Sequence, residues 1–109
     1  MGKEGKKLFP AYLNVGSRGP AVAVLQLFLR GGAFNQNREV TVGEYDEETA
    51  EGVRNLQKYL VNIGHSVGDD GPDGNFGPKT REAVSKAFGI DFNALPWEVF
   101  QGETQAVGP

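Results

Sequence analysis

Cysteine is absent from the 109 residues. Its absence excludes a disulfide scaffold, a thiolate metal site and a cysteine nucleophile. Histidine occurs once, at His65, whereas a catalytic zinc site takes three protein ligands around an open position. An excess of basic residues is also missing: 11 Lys and Arg stand against 14 Asp and Glu, a net charge of −3. Nucleic-acid binders carry a basic face, and a net negative field opposes adsorption to anionic membranes. Neither nucleic acid nor membrane is therefore expected as a partner, and recognition has to rest on shape and hydrogen bonds. Long apolar runs are missing too, with nothing near the ~20 residues of a membrane span. The charged opening, Met1 through Lys7, leads into Leu8-Phe9-Pro10, where proline interrupts the only apolar start. No secretory leader is expected in this chain.

What is present is a folding composition, 39% hydrophobic, in a length that suits one domain. It also holds an internal repeat of constant period. Val22-Ala23-Val24-Leu25-Gln26 recurs as Val53-Arg54-Asn55-Leu56-Gln57. A third copy, Val84-Ser85-Lys86-Ala87-Phe88, follows at the same interval. The second and third copies share a lead-in of Gly, any residue, an aromatic, a short spacer and Thr. It starts at Gly43 with Tyr45 and Thr49, and at Gly74 with Phe76 and Thr80.

Each copy reads as a helix start. Pro20 and Pro78 suit the first helical position, where a missing N–H costs nothing. Asp46 is a strong N-cap, with Glu47 and Glu48 favourable against the helix dipole. The spacing predicts helices over about 20–30, 46–62 and 78–88. One apolar stripe runs along each: Val22, Leu25 and Leu29; Ala50, Val53, Leu56, Leu60 and Ile63; Ala83, Val84, Ala87 and Phe88. Gly31-Gly32, Gly64 and Gly89 are expected to end them. The connections 31–45 and 64–77 are long for helix links; residues 39–42 could form a short extended stretch. Phe92, Leu95, Trp97, Val99 and Phe100 are too apolar for a free tail and suggest a short docking helix. The reading is an all-α three-helix bundle with a pseudo-repeat, long loops and a short C-terminal helical extension. Residues 1–12 are expected as an arm, 13–100 as the domain and 101–109 as a tail or linker.

With these motifs, the sequence resembles the small peptidoglycan-binding domain of endolysins, spore-cortex enzymes and zinc carboxypeptidases. Its Gly-x-x-Gly-x-x-Val-x-x-Leu-Gln element appears as Gly16-Ser17-Arg18-Gly19-Pro20-Ala21-Val22-Ala23-Val24-Leu25-Gln26. Its Asp-Gly-x-Phe-Gly-x-x-Thr-x-x-Ala-Val-x-x-Phe-Gln stretch is matched at residues 73–84 as far as Ala-Val, and at 43–57 with Tyr45 for Phe, Asp46 for the second Gly and Gly52 for Ala. The departures are Val42 in place of the motif's first Asp, a longer loop over 31–42, and Ala87-Phe88 instead of Phe-Gln. The resemblance covers about residues 13–90 and implies a three-helix fold that binds cell-wall glycopeptide, in the cell envelope or outside the cell.

Most motif residues have structural duties. Tyr45 and Phe76 are expected as pegs between helices, and Gly43, Gly74 and Gly77 as turn residues with positive φ. Gln26 and Gln57 admit two readings, bonding to loop backbone or contact with a ligand; the first is preferred. Asp69, Asp70 and Asp73 fail the calcium-loop template, with Gly71 and Thr80 at two ligand positions. No elbow motif surrounds Ser66 or Ser85 to make a triad with His65. A non-catalytic module follows, with no cofactor and no metal. Its expected partners are peptidoglycan glycan and stem peptide, and an attached or associated hydrolase. Side-chain chemistry proposes Tyr45, Arg54, Asp73, Asn75 and Lys79 as the ligand-binding set, with Lys79 or Arg54 for a stem-peptide carboxylate and Asn75 for sugar hydroxyls. The alternative is a protein-interaction module on the same fold, such as a phage virion component or a secreted-complex adaptor.

Overall fold

Pro20, Asp46 and Gly77-Pro78 each start a helix where the chain pattern places one. The computed structural model describes residues 9–10, 12–35 and 39–92. Its helices are α1 (Pro20–Gly31), α2 (Glu47–Asn62) and α3 (Pro78–Phe88), and no strand occurs among the described residues. Asp46 caps α2 through Oδ1, which accepts from the Thr49 N–H at 2.9 Å. α1 and α3 begin with proline and have no side-chain cap; Gly77, ahead of Pro78, is extended with a φ of −103° and lacks the positive φ expected of it, which Gly43 and Gly74 do adopt. No helix among the described residues is long and apolar enough to cross a membrane.

The helices end in related ways. After α2, Gly64 takes a positive φ of 97°. The His65 N–H then returns to the Leu60 carbonyl, and the Gly64 N–H to Val61, the double closure of a Schellman turn. After α1 the same closure joins Phe34 to Leu29 and Ala33 to Arg30. There the left-handed residue is Ala33, with φ 65°. The expected stop at Gly31-Gly32 differs: Gly31 is still helical and Gly32 has a φ of −90°. Gly89, left-handed at φ 71°, closes α3 onto Ser85.

The core gathers one stripe from each helix: Val22, Leu25 and Leu29, then Val53, Leu56 and Leu60, then Ala83 and Val84. Each of these leucines, withdrawn from water, contributes on the order of 2 kcal/mol. Ala87, also expected, is only partly buried against this core, and two further expected members fall outside. Ile63 is 47% exposed because it stands past the end of α2, and Phe88 is 38% exposed at the last turn of α3. Phe88 lies instead against Tyr59 and the edge of Phe28. Phe92 is fully buried against Phe9 and Phe76. Phe9, in the stretch expected as an arm, thus belongs to the core; Arg81 holds it by bonding the Phe9 and Pro10 carbonyls at 3.1 Å. Leu95, Trp97, Val99 and Phe100, and with them the expected C-terminal helix, lie outside the described residues.

The segment before α1 joins the repeats. Leu13 and Phe76 exchange two backbone bonds, of 2.9 and 2.8 Å. Gly16 and Ser17 bond Tyr45, and Gly19 bonds Gly43. Residues 39–42 are not a strand. The chain turns there, with Glu44 N–H to the Thr41 carbonyl, because it wraps a side-chain amide from α1.

Candidate functional site

That amide belongs to Gln26, and its counterpart on α2 belongs to Gln57. Both side chains are buried. Gln57 Nε2 donates to the Asn75 carbonyl (2.9 Å), Thr80 Oγ1 (3.0 Å) and Asp73 Oδ1 (3.2 Å). Its Oε1 accepts from the Gly74 N–H at 2.8 Å. Of the two readings of these glutamines, backbone bonding is the one the geometry bears out. Each glutamine moulds the loop ahead of the next helix.

The turn 73–75 is consequently rigid. Asp73 Oδ1 also accepts from the Asn75 N–H at 3.0 Å, and Oδ2 faces the Asn75 amide at 3.3 Å. Beneath the turn, the Tyr45 hydroxyl donates to the Gly74 carbonyl at 2.6 Å. Burial, followed by the nearby Asp73 charge, pushes the Tyr45 pKa up, so the phenol stays a neutral donor. Above, the Arg54 guanidinium covers Gly74 and pairs with Glu51. A Cβ on Gly74 would lie 3.0 Å from Arg54 and 3.2 Å from the Ala50 carbonyl, at a φ of 85°. Only glycine fits this close approach.

Four of the five proposed ligand residues, Tyr45, Arg54, Asp73 and Asn75, therefore surround Gly74. Tyr45 is 2% exposed; its ring is a peg under the turn and offers no surface to a ligand. Asp73 and Asn75 direct much of their bonding capacity at each other. Arg54 is half-buried beside them.

Lys79 lies elsewhere. It is exposed on the first turn of α3, where its stem runs alongside Gly68. It lines a cleft of about 230 Å³ between α3 and the turn that leaves α2. Gly64, His65 and Ser66 form one wall; Lys79, Glu82 and Lys86, at helical spacing on α3, form the other. Lys86 pairs with Glu82 at 3.4 Å. Sequence reasoning did not find this cleft. The signal available was the spacing of Lys79, Glu82 and Lys86 on one helix face, but nothing local places His65 opposite.

Residues 49–87 match a family model described as a putative peptidoglycan binding domain. The match runs from the capped start of α2 nearly to the end of α3, and so includes Gln57, the turn 73–75 and the cleft. No curated protein and no solved structure matches the chain.

Proposed function

With residues 49–87 belonging to the peptidoglycan-binding domain family, we propose that the chain is a non-catalytic module that binds peptidoglycan in the cell envelope or outside the cell, and holds a hydrolase on the wall. The family match carries this reading. It coincides with the part of the molecule where loop and helix start are fixed by buried hydrogen bonds around Gln57. A preformed polar surface of this kind loses little entropy when it takes a flexible glycopeptide. Arg54, Asn75 and Lys79 are the side chains of the proposed set with solvent-facing donors. Co-sedimentation with purified sacculi tests the reading. The protein is expected in the pellet at low and moderate salt; recovery in the supernatant at both would reject it. Zymography of this chain alone is expected to show no cleared band.

A second reading, a protein-interaction module, draws on a different surface. Phe28, Phe34, Tyr59 and Phe88 form a connected, partly exposed aromatic group, with Leu27 also exposed on α1. Exposed apolar groups of this kind often mark protein contacts. A stable homo-oligomer or stoichiometric protein complex by light scattering, with no sacculus binding, would favour it.

A further inference from the structure

We propose that the cleft between His65 and α3 is a carboxylate pocket that receives the free C-terminal carboxylate of a peptidoglycan stem peptide, with Lys79 as its principal contact. The proposal rests on the peptidoglycan-binding reading and adds a place and a chemistry to it.

Two lysines, Lys79 and Lys86, line the cleft against one carboxylate, Glu82. Glu82 is engaged by Lys86. Lys79 has no acidic partner among the described residues, so its ammonium is left to solvent or to a ligand. In a chain of net charge −3, a cleft with this balance is a local reversal of sign. Asp69, Asp70 and Asp73, on the loop between α2 and α3, do not line it.

The position of Lys79 on its helix also favours an anion. It stands on the first turn of α3, which contains no acidic residue. A cation there opposes the helix dipole and costs a little stability, whereas an anion is favoured. Lys79 is thus poorly placed for the helix and well placed for an anion brought alongside it. The lysine stem runs alongside Gly68.

The cleft is small. About 230 Å³ is below the range of drug-sized pockets, ~300–1,000 Å³. It accommodates the end of a peptide, one residue with its carboxylate, and not a disaccharide. Lys79 would supply a charge-assisted bond to one oxygen; the Ser66 hydroxyl and the His65 ring stand on the facing wall for the other. Glycan contacts would then fall outside the cleft.

Calorimetric titration with a soluble disaccharide–peptide, as the free acid and as the C-terminal amide, tests this. The wild type is expected to bind the acid about tenfold more tightly, a ratio that corresponds to about 1.4 kcal/mol. Lys79→Gln is expected to lose that preference and bind acid and amide with equal affinity, and its circular dichroism is expected to be unchanged. Lys79→Arg is expected to keep part of the preference. Equal affinity of the wild type for acid and amide, with sacculus binding intact, would overturn the pocket and leave the peptidoglycan reading standing. An unaltered preference in Lys79→Gln would do the same. Failure of the wild type to bind sacculi at all would remove both.

Discussion

Gln26 and Gln57 occupy equivalent positions in successive repeats and hold matching loops in matching ways. Gln26 Oε1 accepts from the Gly43 N–H, and its Nε2 donates to the Glu44 carbonyl and Thr49 Oγ1. Gln57 repeats these bonds with Gly74, Asn75 and Thr80, each partner again one repeat further on. A last acceptor differs: the Thr41 carbonyl serves Gln26 where the Asp73 carboxylate serves Gln57. This difference explains how Val42, 60% exposed, can stand where the motif has aspartate. The backbone one residue earlier takes over the acceptor role.

Truncating either glutamine should therefore be costly. Gln57→Ala leaves the Gly74 N–H and the Asn75 carbonyl without their partner, and each buried unsatisfied group costs about 1–3 kcal/mol. Urea unfolding of Gln57→Ala and of Gln26→Ala is expected to show a loss of about 3 kcal/mol in each case. A loss below about 1 kcal/mol in both would mean the loops are held by something else.

Asp46 predicts a pH dependence. Partial burial acts to raise its pKa, but bonds from the Thr49 hydroxyl and N–H and from the Thr41 N–H outweigh it, and the net shift is downward. A folded pKa below the unfolded value of about 4 contributes stability that is complete above that value. It is lost as pH falls through the lower, folded pKa. Asp46→Asn keeps a capping oxygen without the charge. The stability difference between wild type and Asp46→Asn is expected to be constant from pH 7 to about 5 and to narrow as the pH falls below about 4. A difference that does not vary over this range would contradict the assignment. At neutral pH, Asp46→Ala is expected to cost about 1–2 kcal/mol.

Ala33 and Gly64, equivalent positions of the first two repeats, both take the left-handed conformation at a helix end. In that conformation an L-residue costs roughly 1–2 kcal/mol, partly offset because alanine loses less entropy than glycine on folding. Ala33→Gly is thus expected to stabilise the protein by about 0.5–1 kcal/mol, and Gly64→Ala to destabilise it by a similar amount. Calorimetric melting of the pair reads both signs, and a drop in Tm for Ala33→Gly would refute the argument.

The parts of this fold that are legible in the sequence are those fixed by local rules. Pro20, Asp46 and Pro78 mark helix starts whatever surrounds them, and the helical spacing of Val53, Leu56 and Leu60 marks a buried face. The preference for backbone bonding at Gln26 and Gln57 is also readable, since a polar residue in an apolar stripe must find partners. Ile63 and Phe88 depart from expectation because periodicity extends a stripe past the point where a helix stops. The burial of Phe9 depends on Phe76 and Phe92, at the other end of the chain, and no local pattern carries that. The candidate site divides in the same way. The turn 73–75 is visible from its Gly and Asp content, whereas the cleft requires α3 to be set against the turn at His65.

Gly52 and Asn35 show two departures from the family pattern to be one structural event. Gly52 replaces the motif's alanine on α2, and the loop that follows α1 is longer than usual. That loop lays the Asn35 side chain over Gly52, where a Cβ would meet its amide atoms at 2.7–3.0 Å. Asn35 is buried there and donates to the Glu48 carbonyl at 3.0 Å, while Asn55 bonds the Phe34 carbonyl next to it. Alanine at 52 would favour the helix by about 1 kcal/mol but would displace Asn35 and break its buried bond, a cost of about 1–3 kcal/mol. Gly52→Ala alone is expected to destabilise by about 1 kcal/mol. With Asn35→Ala the obstruction is gone, and adding Gly52→Ala to that background is expected to stabilise by up to about 1 kcal/mol. The double-mutant cycle should then report a coupling of about 2 kcal/mol, within the range for residues in contact. Simple additivity of the two substitutions would show that the long loop and the glycine are unrelated.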